Sequence, residues 1–390
     1  MKSDFPILNN GLAYLDNAAT TQKPLSVLDA LVKFYKEFNA NPHRGVYDLS
    51  IQATAALEDS RKLAAKFIGA NSDELFFVKN ATEGFNYLSL ALQNTLSSGD
   101  EIITTVFEHH SNFIPWFELS KKLNLKFLVA NFIDTENNIL NLVSNKTKII
   151  TLTHMSNVSG KIIDVQMLIK KIREKNKDVI IILDAAQSVA HLDIDVKSLD
   201  VDFLVFSAHK IYGPLGVGVV FGKKFRLENL APALFGGGMV QDYKKGEFSY
   251  SSIPQKFEAG SIDVAGIYAF AHAITYFNNI KDKFSLEKKL QNFTLSKLRE
   301  FSEVKIIGHD NSSSFGPVIS FEIDGVHPHD FASIASSFGV CVRAGHHCAK
   351  PYLDALGVGA LIRVSLSFYN DEEDILKLVG SIKKSIEVFK

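Results

Sequence analysis

VDFLVFSAHKIYGPLG, residues Val201 to Gly216, sets the reading of the whole chain. The apolar run Val201 to Phe206 ends abruptly in Ser207, Ala208 and His209. A single Lys210 follows before a glycine-proline turn, so the lysine sits where a buried strand leaves a sheet. In open α/β sheets, ligands bind beyond the carboxyl ends of the strands. A lysine desolvated there gives up its proton more readily and can act as an amine nucleophile, for which an aldehyde is the natural partner. The alternative is a solvated charge that merely closes a strand, and the residues upstream decide between the two.

Outward from this stretch, short apolar runs alternate with helical patterns. Leu75 to Val78, Glu101 to Thr105, Leu125 to Ala130, Lys148 to Thr153 and Val179 to Leu183 read as strands. Helices are expected from near Ser26, through Ala56, Leu63 and Phe67, after Thr82, over Ile114 to Leu123, and on the face Val165, Leu168, Ile169 and Ile172. Val/Ile/Leu runs of this kind suit strands buried on both faces, so the fold class is α/β with a mostly parallel sheet between helices. The texture changes after FEAGS (257–261). One long helical stretch from Gly266 through Leu286, Leu290 and Phe293 leads to strands at Val304 to Ile307, Val318 to Ile323 and around Cys341 and Leu361. A helix near His329 to Phe338 and a terminal helix on Ile375, Leu378, Val379, Ile382 and Ile386 complete a smaller α+β unit. Asn370 and Glu373 have the spacing of a capping box for that last helix.

A length of 390 residues accommodates one large core and a second, smaller one. The formal net charge of -1 provides no global field for nucleic acid or an anionic membrane, which favours small-molecule chemistry. MKSDFPILNN has no signal-like character and no apolar stretch reaches spanning length, so a cytoplasmic protein is expected. The two cysteines, Cys341 and Cys348, are too few for a disulfide scaffold and leave room for a working thiol.

The strand VIIILD ends in Asp184, followed by Ala185, Ala186 and Gln187. A carboxylate at a buried strand end needs a cationic or hydrogen-bonding partner, either as a helix N-cap or as the acid that keeps a pyridine nitrogen protonated. Gln187 would then reach the phenolate oxygen of the same ring. The turn Asn80-Ala81-Thr82-Glu83-Gly84 between a strand and a helix is an anion site of helix-amino-terminus type, which Ser207 and His209 can reach. His109-His110 follows another strand, where an imidazole either lies flat on a ring or serves as a capping group.

In chain order, DNAAT, NATEGFN, EHHSNFIPW, THMSNVSG, DAAQSV, FSAHKIYGPLG, FEAGS and RAGHHCAKP resemble the SufS-type cysteine desulfurases. These lie within the class V aminotransferase group of fold-type I pyridoxal phosphate (PLP) enzymes. The resemblance spans nearly the whole chain and rests most on FSAHKIYGPLG and RAGHHCA. It implies a large PLP-binding domain, residues 16–265, with a mostly parallel sheet of seven-stranded type. A small α+β domain, residues 1–15 and 266–390, would carry the catalytic cysteine. It implies Lys210 as the Schiff-base lysine, Asp184 as the pyridine-nitrogen acid, Gln187 as the phenolate contact and His109 as the ring-stacking histidine. Ala81, Thr82, Ser207 and His209 would hold the phosphate, with Ser261 reaching it from a neighbouring subunit, so a homodimer with shared active sites is implied. Asn157, Arg343 and Arg363 would hold the substrate. No metal is implied. Three departures stand out: Ala208 where glycine is frequent, FEAGSID without the usual threonine and following proline-asparagine pair, and Gly236-Gly237-Gly238 running directly into Met239.

RAGHHCAKP (343–351) sets Cys348 after two histidines in a setting read as electropositive, whereas Cys341 lies in an apolar strand pattern and reads as inert. The implied reaction converts L-cysteine to L-alanine and leaves sulfur as a persulfide on Cys348, with His110 assisting proton traffic. A SufE-type or SufU-type acceptor in iron-sulfur cluster assembly would collect the sulfur. Selenocysteine lyase or cysteine sulfinate desulfinase on the same scaffold is the enzymatic alternative. A catalytically silent scaffold protein is the non-enzymatic one.

Overall fold

The computed structural model describes residues 1–310 and 314–389. Seven strands form the large sheet: β1 (Leu75–Val78), β2 (Glu101–Thr105), β3 (Lys126–Ala130), β4 (Thr147–Thr153), β5 (Ile180–Asp184), β6 (Phe203–Ser207) and β7 (Gly218–Gly222). Their order is β1-β7-β6-β5-β4-β2-β3. The strands β6, β5, β4, β2 and β3 pair in parallel, and β7 runs antiparallel to both neighbours. The reversal follows from chain length, because the link from Ser207 to Gly218 is too short for a crossover.

The apolar runs are buried on both faces, as an α/β sheet requires. Leu204, Phe206, Ile181 and Leu183 face one core, while Phe203, Val205, Ile180 and Ile182 face another. Helices Leu25–Glu37, Asp48–Phe67 and Val264–Asn279 cover the first face, and Ala81–Leu92 and His110–Leu123 the second.

A second sheet of four antiparallel strands, β8 (Val304–Ile307), β9 (Val318–Ile323), β10 (Arg343–Gly345) and β11 (Leu361–Ser365), has the order β8-β9-β11-β10. Helices Pro328–Ser337 and Glu372–Phe389 pack on it through Phe331, Ala335, Ile375, Leu378 and Ile382. The amino-terminal segment belongs to this neighbourhood. Ala13–Tyr14 pairs with Val340–Cys341, and Asp16 bridges to Ser365.

Several local expectations are corrected. The stretch from Gly266 to Phe293 is two helices, Val264–Asn279 and Lys283–Leu298, separated where Asp282 turns to φ 55°. The capping box of the last helix is shifted by one residue. Asp371 Oδ1 accepts from Asp374 N (3.0 Å) and Asp374 Oδ2 from Asp371 N (3.4 Å), whereas Asn370 donates its amide to Asp374. The helix expected from Ile114 begins at His110, because His109 accepts from Ser111 N and caps it. Among the described residues, no helix is long and apolar enough to cross a membrane.

Strand β1 lies at the sheet edge, and its open backbone groups are closed by a buried ion pair. Arg61, on the helix Asp48–Phe67, donates to Glu258 through both Nη atoms (2.7 and 2.8 Å) and to Leu75 O (3.3 Å). Glu258 Oε1 in turn accepts from Phe77 N (2.8 Å). Arg61 is 1% exposed, so Arg61→Ala strands a buried carboxylate. The expected loss is about 3–5 kcal/mol of folding stability, read by urea or thermal denaturation. A loss below about 1 kcal/mol, the range of a surface pair, contradicts this account of the edge.

Candidate active site

The carboxyl ends of β1, β2, β4, β5 and β6 open into one cavity of about 540 Å³, roofed by the segment after β10. It is lined by Ala81, Thr82, His109, Asn157, Asp184, Gln187, Ser207, His209, Lys210, Arg343, Cys348 and Arg363. Ser261 and His110 are not among its lining residues, and Ser261 is expected to serve a neighbouring subunit's site instead of this one. Ser261 lines a separate depression of about 230 Å³ with Phe77, Tyr87 and Phe257. His110 stands outside the cavity lining as well.

Lys210 ends a short 3-10 turn, Ala208–Lys210, directly after β6. The loop containing DNAATT holds this turn in place. His209 O accepts from Thr21 N (3.0 Å), Thr20 Oγ1 (3.1 Å), Thr21 Oγ1 (3.1 Å) and Lys23 Nζ (3.2 Å). Desolvation lowers the Lys210 ammonium from 10.5 to about 8, opposed by Asp184 and reinforced by Arg363. Asp184 is buried, and desolvation raises its carboxyl, while Ala186 N (2.8 Å to Oδ1) and Lys210 work the other way. Asp184 thus makes a local turn contact and faces the cavity. Gln187 gives one amide N–H to Ala18 O (2.9 Å), which leaves the other for a ligand.

Around the amino terminus of helix Ala81–Leu92, Ala81 N donates to Ser207 Oγ (2.8 Å), Glu83 N to Asn80 Oδ1 (2.9 Å) and Gly84 N to Asn80 O (3.0 Å). The Thr82 N–H has no partner among the described residues. Gly218 on β7 makes this packing possible, since a Cβ there would meet the Asn80 backbone at 2.7 Å. Thr82 Oγ1 meets Ser111 Oγ (2.6 Å), which meets His109 Nδ1 (2.9 Å). Because Ser111 N also donates to Nδ1 (3.1 Å), the ring proton of His109 belongs on Nε2. Burial first, then Lys210, lowers His109 to about 3, so the ring is neutral. His209 is likewise lowered to about 3, and its buried Nδ1 lacks a partner among the described residues.

The segment carrying Cys348 is short and tied at almost every position. Asn157 Nδ2 donates to His347 O (2.8 Å), His110 N to Cys348 O (2.7 Å), Cys348 N to His346 Nδ1 (3.1 Å) and Lys350 N to His110 Nε2 (3.1 Å). His110 is therefore a strut of this segment, because its Nε2 is occupied as an acceptor. His347 and Cys348 both adopt left-handed φ, 52° and 53°. Two consecutive non-glycine residues in that region are sterically unfavourable and are held by the surrounding bonds. Cys348 is exposed at the cavity mouth. Cys341 is half-buried beside Tyr14 and lies outside the cavity lining, and burial pushes its thiol up.

Asp16, behind the cavity lining, joins the two arginines. Arg343 donates to it from Nε (3.2 and 3.1 Å) and Nη2 (2.8 Å), and Arg363 from Nη2 (3.1 Å). Arg363 Nη1 also donates to Asn157 O (3.0 Å), while its buried Nε has no partner among the described residues. The sequence reading gave no role to Asp16 or Ser111. For Asp16 the signal was present: like Asp184, it is a carboxylate directly after an apolar run, Ala13-Tyr14-Leu15.

The donor set fits a phosphorylated aromatic aldehyde. The cavity holds a desolvated amine, a strand-end acid, a neutral imidazole, a free helix-terminal amide and the orphaned Nδ1 of His209. The partnerless Arg363 Nε suits a carboxylate.

The sequence profile of the family described as Aminotransferase class-V matches residues 13–378. A cysteine desulfurase of Wigglesworthia glossinidia brevipalpis is 39% identical over 401 residues, spanning 98% of this chain and 96% of that protein. Two solved structures are similar throughout. The apo cysteine desulfurase of Thermococcus onnurineus NA1 has a TM-score of 0.93 and 35% identity, covering 99% of this chain and 97% of that one. The S-sulfonic acid form of the cysteine desulfurase CsdA of Escherichia coli has a TM-score of 0.92 and 30% identity, covering 100% and 98%.

Proposed function

The chain belongs to the class-V aminotransferase family and, within it, to the cysteine desulfurases, and from that premise we propose how its residues divide the reaction. The enzyme takes sulfur from L-cysteine, leaves alanine, and uses pyridoxal phosphate. That group, when bound, supplies an aldehyde carbon and an electron-accepting ring. Lys210 is the amine that fixes it, and Asp184, Gln187 and His109 hold its ring. Thr82, through its free N–H and its hydroxyl, holds the phosphate with Ser207 and His209, and Ala81 N positions the Ser207 hydroxyl.

For the substrate, Arg363 binds the carboxylate through its free Nε edge, with Arg343 and Asn157 beside it. Lys210 Nζ, its pKa lowered to about 8 by desolvation, takes the proton from the substrate Cα as the free amine. Cys348 Sγ attacks the substrate sulfur. The carbon–sulfur bond breaks with its electron pair retained on carbon, a sulfur–sulfur bond forms, and the protein holds a persulfide. His110 holds the Cys348 segment. What carries this reading is the meeting of Lys210, Arg363 and Cys348 in one cavity, with the amine and the thiol contributed by different sheets.

We further propose a homodimer in which Ser261, remote from this chain's own cavity, completes the partner's phosphate site. The sulfur leaves for an acceptor protein of SufE or SufU type that serves iron-sulfur cluster assembly. The bonds fixing residues 346–350 support an acceptor that must bring its own thiol to Cys348, since the segment cannot swing outward. The test is alanine formation from L-cysteine with increasing acceptor, with and without a small reducing thiol. Acceptor is expected to raise turnover about tenfold or more, with transfer from Cys348 as the slow step. A basal rate equal to the best accelerated rate removes the need for an acceptor.

A further inference from the structure

Lys210 Nζ makes no hydrogen bond among the described residues, so the backbone that carries the lysine decides where the amine sits. One buried residue clasps that backbone from both sides. Thr21 N and Thr21 Oγ1 donate to His209 O (3.0 and 3.1 Å), the carbonyl before the lysine. Tyr212 N, two residues after it, donates to Thr21 Oγ1 (2.8 Å). Thr21 is 3% exposed and Tyr212 is fully buried. The amides flanking Tyr212, those of Ile211 and Gly213, both turn back to Ala208 O (3.0 Å each), whereas Tyr212, at φ 62°, points its own N–H at the threonine. A hydroxyl can give one hydrogen and accept another at the same atom, and it does both here. The clasp is itself anchored: Ala18 N donates to Ser365 Oγ (2.8 Å) and Asn17 Nδ2 to Ser365 O (2.8 Å), at the end of β11, the strand that carries Arg363.

We infer that Thr21 is a positioning residue for Lys210: its single hydroxyl fixes the turn on both sides of the lysine and so aims the amine at the cofactor aldehyde. The inference rests on the reading of Lys210 as the amine that fixes the cofactor. In that step Nζ attacks the aldehyde carbon, a carbon–nitrogen double bond replaces the carbon–oxygen one, and the oxygen leaves as water, so no oxidant or reductant is needed. Without the hydroxyl, Tyr212 N becomes a buried donor with no acceptor, and a turn that holds a non-glycine residue at positive φ loses the bond that keeps it there. The distance and angle of attack are then no longer fixed, and a misplacement of about 1 Å costs a reaction of this kind up to about a hundredfold.

The experiment compares two ligands of the apoprotein: pyridoxal phosphate, which carries the aldehyde, and pyridoxamine phosphate, which carries an amine in its place and cannot form the bond. The rate of covalent loading at saturating pyridoxal phosphate is followed by absorbance, and the Kd of pyridoxamine phosphate is measured by calorimetry. Thr21→Val, which keeps the shape and removes the hydroxyl, is expected to slow covalent loading about tenfold and to leave the pyridoxamine phosphate Kd within about twofold. Thr21→Ala, without the branched bulk of valine, is expected to match it. Thr21→Ser keeps the hydroxyl and is expected to load within about twofold of wild type. A purely structural role for Thr21 would weaken the binding of pyridoxamine phosphate in step with the loss of loading. Such a parallel loss, loading at the wild-type rate in the valine and alanine variants, or slow loading in the serine variant overturns the proposal. A borohydride-reduced adduct on a lysine other than Lys210 in the wild-type enzyme refutes the underlying reading instead, whatever the Thr21 variants do.

Discussion

Lys210→Ala is expected to abolish alanine formation, by roughly 10³-fold to 10⁴-fold or more, because it removes both the attachment point of the cofactor and the base. The substitution deletes an amine whose burial disfavours its charged form, so the fold is not expected to suffer and the melting temperature should hold. Borohydride treatment of the loaded wild-type enzyme should fix the cofactor to the peptide containing Lys210. The lowering of this amine from 10.5 to about 8 adds a pH signature. The free amine is the reactive form, and its fraction rises about tenfold per pH unit up to the pKa and then levels. The rate of covalent loading of apoprotein should therefore rise with pH and flatten above about 8. A rise that continues to about 10.5 would mean that the amine is not desolvated, and a reduced adduct on any other lysine would sink the assignment.

Cys348→Ser should separate cofactor chemistry from sulfur transfer. Serine keeps the small side chain and tolerates the same backbone, which is held by Asn157 and His110 through the carbonyls of His347 and Cys348. Binding of L-cysteine, followed by the spectral change of the cofactor, should stay within about twofold. Alanine formation should fall by roughly 10²-fold or more, and no persulfide should form, since the hydroxyl cannot replace the thiolate as the sulfur acceptor. Cys341→Ser should leave both measurements near wild type, because Cys341 lies outside the cavity lining. Loss of persulfide in the Cys341 variant instead would reverse the roles of the two thiols.

The large sheet was legible in the sequence because its strands are buried on both faces. Ile180 to Leu183 and Phe203 to Phe206 cannot alternate in polarity when two cores flank them. Polar residues at the ends of such runs, Asp184 and Ser207, were legible for the same reason, since a polar group there is costly without a partner. The hairpin Val240–Lys244 with Glu247–Tyr250 was not, because nearly every side chain in it is exposed and no buried face imposes a pattern. Its turn, Lys245-Gly246, has positive φ at both residues and is a local signal that composition alone obscured. Strand β7 was missed because Gly218 and Gly222 bracket it and it directly follows a glycine-proline turn.

At the site, residue types were easier to read than partners. Asn157, Gln187 and Ser207 each hold a backbone group distant in sequence, namely His347 O, Ala18 O and Ala81 N. His110, read as an aid to proton traffic, also braces the segment, because its Nε2 accepts from Lys350 N. Asp16 reaches arginines 327 and 347 positions away, a pairing that no local periodicity encodes.

The central claim is that Cys348 takes sulfur from L-cysteine in the cavity that Lys210 serves. The most direct test is a single turnover with stoichiometric L-cysteine, no acceptor and no reducing thiol, read by peptide mass spectrometry and alanine quantitation on the same sample. The account predicts one added sulfur atom on the peptide containing Cys348 and alanine in equal amount. Alanine with free sulfide and an unmodified Cys348, or the added sulfur on Cys341, would contradict it.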